Sequence, residues 1–105
     1  MVISGNTTEI FKDGSWTNGP TLPISVSPHR PCATKFNSSH TLITGGRCGT
    51  CALVLDSSSK ESLKWIEVAP MATGRSYHSC ATLSNGSVIV ANGDPKTKSV
   101  EIYNP

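Results

Sequence analysis

Met71-Ala-Thr-Gly-Arg-Ser-Tyr-His-Ser-Cys-Ala-Thr-Leu-Ser-Asn-Gly-Ser-Val-Ile-Val-Ala-Asn-Gly93 reads as two strands joined by a tight turn. Asn85-Gly86 sits between the apolar-bearing runs 80–83 and 88–91, and Asn-Gly favours a type I′ turn because both central residues tolerate positive φ. Val88, Ile89 and Val90 form an unbroken β-branched run where a strand with one wet face would alternate. This strand is therefore expected to be covered on both sides, as sheets stacked face to face would cover it.

Working outward, 105 residues leave room for one modest domain, and only 15% of them are Asp, Glu, Lys or Arg, with a net charge of +2. The nine Lys and Arg are scattered without interleaved aromatics, so no nucleic-acid surface is expected. No apolar run approaches the roughly 18 residues of a membrane span, so none is expected. Met1-Val-Ile-Ser-Gly-Asn-Thr-Thr lacks the basic start and apolar centre of a signal peptide. Localisation stays open: cytoplasmic as the chain stands, extracellular if a signal peptide lies upstream. Nine Gly, 7 Pro, 15 Ser and 11 Thr punctuate short apolar runs, and no segment repeats apolar residues at helical spacing over three turns. The predicted class is all-β.

The opening unit recurs. His29-Arg-Pro-Cys-Ala-Thr-Lys-Phe-Asn-Ser-Ser-His-Thr-Leu-Ile-Thr-Gly-Gly46 aligns with Tyr77 to Gly93 with one inserted residue near Asn37, and the shared Cys-Ala-Thr fixes the register. Trp16 and Trp65 lie 49 residues apart, Cys32 and Cys80 48, and Gly46 and Gly93 47. Glu9-Ile-Phe, Leu53-Val-Leu and Glu101-Ile-Tyr fall at matching phases, as do Val2-Ile-Ser-Gly5 and Val90-Ala-Asn-Gly93. A period of about 50 residues with four strands is that of a propeller blade of the kelch class.

These residues resemble the kelch-repeat family. Its blade carries an Arg and a His before the first strand, a Gly pair ending the second, and Tyr and Trp on the third and fourth; Arg75 and His78, Gly45-Gly46, Tyr103, Trp16 and Trp65 match. So do Val100-Glu-Ile-Tyr-Asn-Pro105 and Trp65 with Ala69-Pro-Met71. The sequence departs where Ser4-Gly5 and Asn92-Gly93 replace the Gly pair, where Leu55 replaces the Tyr, and where Ser27 stands in place of Arg75. No Trp-Asp pair closes any strand, which disfavours the WD type.

The phase places second, third and fourth strands near residues 2–18, a complete set near 32–68, and first, second and third strands near 78–103. The resemblance thus implies a partial blade at about 1–20, a full kelch blade at about 27–71 and a partial blade at about 72–105, an incomplete β-propeller of antiparallel four-stranded sheets. Propellers close with 4 to 8 blades, so other blades, in the same or another chain, are expected partners. A piece of a longer polypeptide is favoured over a ring finished by other chains or an open stack, because repeat units bury their apolar faces only against neighbours.

Cys48-Gly-Thr-Cys51 fits a local disulfide, unremarkable thiols or, less well, half a zinc or redox site: no second ligand pair and no following helix are foreseen. Cys32 and Cys80, at equivalent strand positions, read as small buried free cysteines. Three sequons begin at Asn6, Asn37 and Asn85, all in predicted turns. His29, His40 and His78 lack metal-ligand spacing and no catalytic motif is present, so no metal, no cofactor and no enzymatic activity are expected. Kelch-like propellers include copper radical oxidases and a sugar epimerase, but the oxidases' copper ligands have no counterpart, which leaves a fragment of a galactose-oxidase-like enzyme a minor alternative. The main expectation is a non-catalytic scaffold gripping a protein partner through blade loops, as in ubiquitin-ligase adaptors or cytoskeletal linkers. The resemblance places Arg75, Ser76 and Tyr77, with His29 and Arg30 of the other copy, near one such face. Arg75 has two readings, partner contact or a cap hydrogen-bonded within its own blade. The alternative function is an extracellular, glycosylated structural or carbohydrate-associated propeller unit.

Overall fold

In the computed structural model, residues 2–4, 6–23, 30–58 and 63–105 are described. Short β-branched and aromatic runs between Gly-, Asn- and Asp-bearing turns give ten strands among them. They are β1 Val2–Ser4, β2 Thr7–Lys12, β3 Ser15–Asn18, β4 Cys32–Lys35, β5 His40–Thr44, β6 Ala52–Asp56, β7 Trp65–Val68, β8 Ser79–Thr82, β9 Val88–Ala91 and β10 Val100–Tyr103. All pairings are antiparallel, in three sheets ordered β1-β2-β3, β4-β5-β6-β7 and β8-β9-β10. The protein is all-β, with three, four and three strands where the 48-residue phase places them. The described sheets do not close into a ring.

Register decides which side chains share a core. Leu55 pairs with Trp65 and Ile43 with Leu53, and these four join Leu22 in one buried cluster against which Ile3 of the first sheet packs. On the opposite face of the middle sheet, Leu42, Ala52 and Phe36 join Val88 and Val90, with Val54, Val68, Met71, Cys80 and Tyr103 packed around them. Both faces of the four-stranded sheet are thus covered. Trp65 is buried on one face, while Val68 and Met71 pack on the other: with a side-chain period of two, Val68 points away from Trp65.

Three further expectations change. The hairpin between β8 and β9 exists, yet only Gly86 has positive φ, at 87°. Gly86 N–H donates to the Leu83 carbonyl and Leu83 N–H to that of Ser87, the pattern of a type I turn followed by a left-handed glycine rather than type I′. Ser84 lengthens the loop beyond the two residues that a primed turn requires. Val88 and Val90 are buried, but Ile89 is only half covered and its neighbours Val100 and Ile102 are more than half exposed, so the third sheet has one covered face. Trp16, placed like Trp65, is 54% exposed and lies tilted against Phe11.

Cys32 and Cys80 are not free. Joined as a disulfide with Cα atoms 6.1 Å apart, they tie β4 to β8. Thr34 and Thr82 hydroxyls meet at 3.0 Å two residues further on, and Thr82 also donates to the Lys35 carbonyl. Equivalent positions on the first strands of neighbouring sheets face each other instead of sitting apart in separate cores.

Candidate functional site

Antiparallel strands deliver loops 45–51, 69–78 and 92–99, and the lead-in to β4 at Arg30 and Pro31, to one end of the sheets. Backbone hydrogen bonds stitch these loops together. Gly46 N–H donates to the Arg75 carbonyl, Arg75 N–H to Gly49, Met71 N–H to Thr50 and Tyr77 N–H to Arg30. Ser76 and Asp94 exchange both bonds across an isolated bridge. Loop 45–51 is closed further by the Cys48–Cys51 disulfide, with Cα atoms 5.6 Å apart, so the local-disulfide reading of that motif holds.

Close approach explains the glycines. Gly45 and Gly46 have φ of 68° and 77°, and a methyl at Gly45 would run into the Arg75 carbonyl and approach His78 Cε1 to 2.6 Å. Gly93, at φ 113°, would meet the Ser76 carbonyl at 2.8 Å. His78 fills the space between, its Nε2 2.8 Å from the Thr44 hydroxyl. Burial first, and the Arg75 charge second, hold its pKa below the ordinary imidazole value.

Arg75 is 1% exposed, and its role is the internal one. Nη1 donates to the carbonyls of Asn92 and Ser99, and Nη2 to the Ser99 hydroxyl and to Glu101 Oε2 at 3.1 Å. Glu101 also accepts from the N–H groups of Ala72 and Thr73. Burial would raise its pKa, but these amide bonds and the guanidinium outweigh it and hold the carboxyl below its usual range. Of the two readings of Arg75, full burial of its side chain leaves the internal cap and not the partner contact.

Two of the other residues expected at this face remain exposed. Arg30 and Tyr77 are both exposed with left-handed backbones, φ 31° and 55°, and the guanidinium carbon lies 6.0 Å from the ring centroid. Non-glycine residues in that region are uncommon and concentrate where a fold holds them for a purpose. Ser76 is half-buried, its hydroxyl on the Asp94 carbonyl. His29, the other expected site residue, lies outside the described residues. Sequence reasoning missed Arg47, Lys96 and Lys98, exposed on the loops following Gly46 and Gly93, though the repeat alignment puts those loops at the same phase. Asn92, Gly93, Lys96, Thr97 and Lys98 line a concavity of about 500 Å³. Among the described residues Arg30, Arg47, Lys96 and Lys98 are exposed at this end, and Asp94 shares a loop with the two lysines.

At the opposite end lie the turns of Asn37 and Asn85. Asn37 Oδ1 accepts from the N–H groups of Ser39 and His40, and Asn85 Oδ1 from Ser87 N–H, which leaves both side chains at exposed tips; Asn6 is exposed at the loop end. His40 meets Asn37 and, at 3.5 Å, Asp56, whose carboxyl is held low by the Ser58 hydroxyl and N–H. A second cavity of about 380 Å³ there has an apolar side of Phe36, Val54, Ile66 and Val68 and a polar side of Asn37, His40 and Asp56. Among the described residues no three His, Cys, Asp or Glu group as metal ligands do, and no helix is long and apolar enough to cross a membrane. No family model, no curated protein and no solved structure matches the chain.

Proposed function

We propose that the chain is a kelch-type, non-catalytic scaffold that binds a protein partner through the stitched loop end. The observation that carries this reading is the exposed Arg30 and Tyr77 pair, two residue types favoured at interface hot spots, held in left-handed backbone on loops that cross-bond to one another. A rigid, cation-rimmed platform suits a polypeptide surface, while the sheets beneath supply the frame. Panning a displayed peptide library on the full chain tests it. Binders should lose roughly 30-fold in affinity with Arg30→Ala or with Tyr77→Asn, a residue that tolerates the same φ, at unchanged circular dichroism. Binders indifferent to both substitutions would overturn the assignment.

A second reading, an extracellular glycosylated structural or carbohydrate-associated unit, is favoured by one specific observation. All four cysteines are paired and three sequons sit at exposed positions, as an oxidising compartment permits. Intact mass of native material, with and without glycosidase and reductant, separates the two: an unmodified, reduced chain removes the second.

A further inference from the structure

The two disulfides sit in different surroundings. Cys80 packs against the buried Val88 and Val90, and its bond to Cys32 joins two strands that each pair with a neighbour in their own sheet. Cys48 and Cys51 lie half-buried on a loop whose Arg47 and Thr50 are exposed. Cys51 also lines a small concavity of about 150 Å³, together with Ala52, Glu67, Val68 and Pro70. One end of the short crosslink thus borders an opening that a compact molecule enters without unfolding the sheets.

A disulfide exchanges when a thiolate attacks one of its sulfurs and the other sulfur leaves, so access to the first and charge stabilisation of the second set the rate. A neighbouring cation lowers the pKa of a thiol and makes it the better leaving group. Arg47 shares the single 3₁₀ turn Gly46–Cys48 with Cys48, whereas a carboxylate, that of Glu67, lines the concavity beside Cys51. Negative charge is therefore better carried by Cys48 than by Cys51. The same carboxylate repels an anionic thiol and attracts one that bears an ammonium group.

We propose that Cys48–Cys51 is an exchange site for a small aminothiol, which enters the concavity beside Glu67 and is captured on Cys51. The incoming thiolate attacks the Cys51 sulfur, the bond between Cys48 and Cys51 breaks, and its electron pair leaves on Cys48. One disulfide replaces another and one thiolate replaces another, so no oxidant is consumed. Return attack by the Cys48 thiolate on the Cys51 sulfur expels the aminothiol and closes the loop again. The exchange uses neither Arg30 nor Tyr77, so it holds or fails independently of what the loop end binds.

The test treats the native, oxidised full chain with cysteamine, quenches at early times with excess iodoacetamide, and locates both groups by peptide mass mapping. Cysteamine is expected on Cys51 and the carbamidomethyl group on Cys48, with Cys32–Cys80 intact. The anionic 2-mercaptoethanesulfonate, once each rate is scaled to that thiol's rate on a small-molecule disulfide, should react roughly fivefold more slowly, and Glu67→Gln should narrow that gap. Arg47→Glu should slow the opening about tenfold while Arg47→Lys restores it, a rescue that loop geometry alone would not produce. Both positions are exposed, so circular dichroism should stay unchanged. The adduct on Cys48, or Cys32–Cys80 opening as fast, overturns the proposal. Equal scaled rates for the two thiols, or no opening while the chain stays folded, overturn it as well.

Discussion

At the scale of single residues, Arg75 is the most consequential side chain. Its four donated bonds span the loop after β9 and the start of β10, so Arg75→Ala takes the donor from the Asn92 and Ser99 carbonyls and the cation from Glu101, which keeps its two amide bonds. A loss of about 3 kcal/mol is expected from urea unfolding. Acid should act through its neighbours. Glu101 titrates lower in the folded chain than unfolded, so its stabilisation is complete above the unfolded carboxylate value and fades as pH falls through the folded one. His78 acts earlier in the same direction: the unfolded imidazole takes its proton near pH 6.5 while the folded one resists, so stability declines below that pH. Melting temperature is expected to drop in two stages, the upper removed by His78→Gln and the lower reduced by Glu101→Gln, with Asp56, also held low, contributing to what is left. One signal for the pair stands in the sequence. A period earlier the corresponding residues are Ser27 and Leu53, so cation and acid are absent together. The burial of Arg75 was illegible because it depends on Ser99, whose place in the chain carries no motif.

At the scale of elements, the glycines and tryptophans divide by surroundings rather than by type. Gly93→Ala must relieve both a left-handed φ and a clash with the Ser76 carbonyl, whereas Gly86→Ala meets nothing closer than 3.8 Å. Thermal melts should show the first costing clearly more than the second, which is expected near 1 kcal/mol. Trp65→Ala should cost roughly 3–5 kcal/mol, while Trp16→Ala should cost under about 0.5 kcal/mol, as exposed sites do. Strand positions, the hairpin and the turning glycines were legible because each is written locally, in β-branched runs and Gly-bearing turns. The exposure of Trp16 was not, since an identical residue at an identical phase is buried only when another sheet lies over it. The same limit applies to Cys32 and Cys80: repetition revealed their equivalence, and only the stacking of sheets turned equivalence into contact.

At the scale of the whole molecule, the disulfides differ mainly in the loops they close. Cys32 and Cys80 are separated by 48 residues and Cys48 and Cys51 by three. Chain-entropy arithmetic gives about 4 kcal/mol for the long loop and about 2 for the short one. Denaturation of Cys32→Ala/Cys80→Ala and Cys48→Ala/Cys51→Ala double variants should reproduce that order; equal losses would contradict it. The class and the order of sheets could be read from the period, but the loop-end platform is assembled from four separated segments, and no single stretch of sequence states that they meet. The long crosslink also has a mechanical side. All four strands of the middle sheet lie between its two cysteines. Held by its ends and stretched, the oxidised chain passes tension directly from β4 to β8, and roughly 160 Å of contour stays outside the load path. Only the two flanking arms can be drawn out, so the molecule would resist extension as a fixed knot at the centre of a short tether, and reduction would release the hidden length in one step.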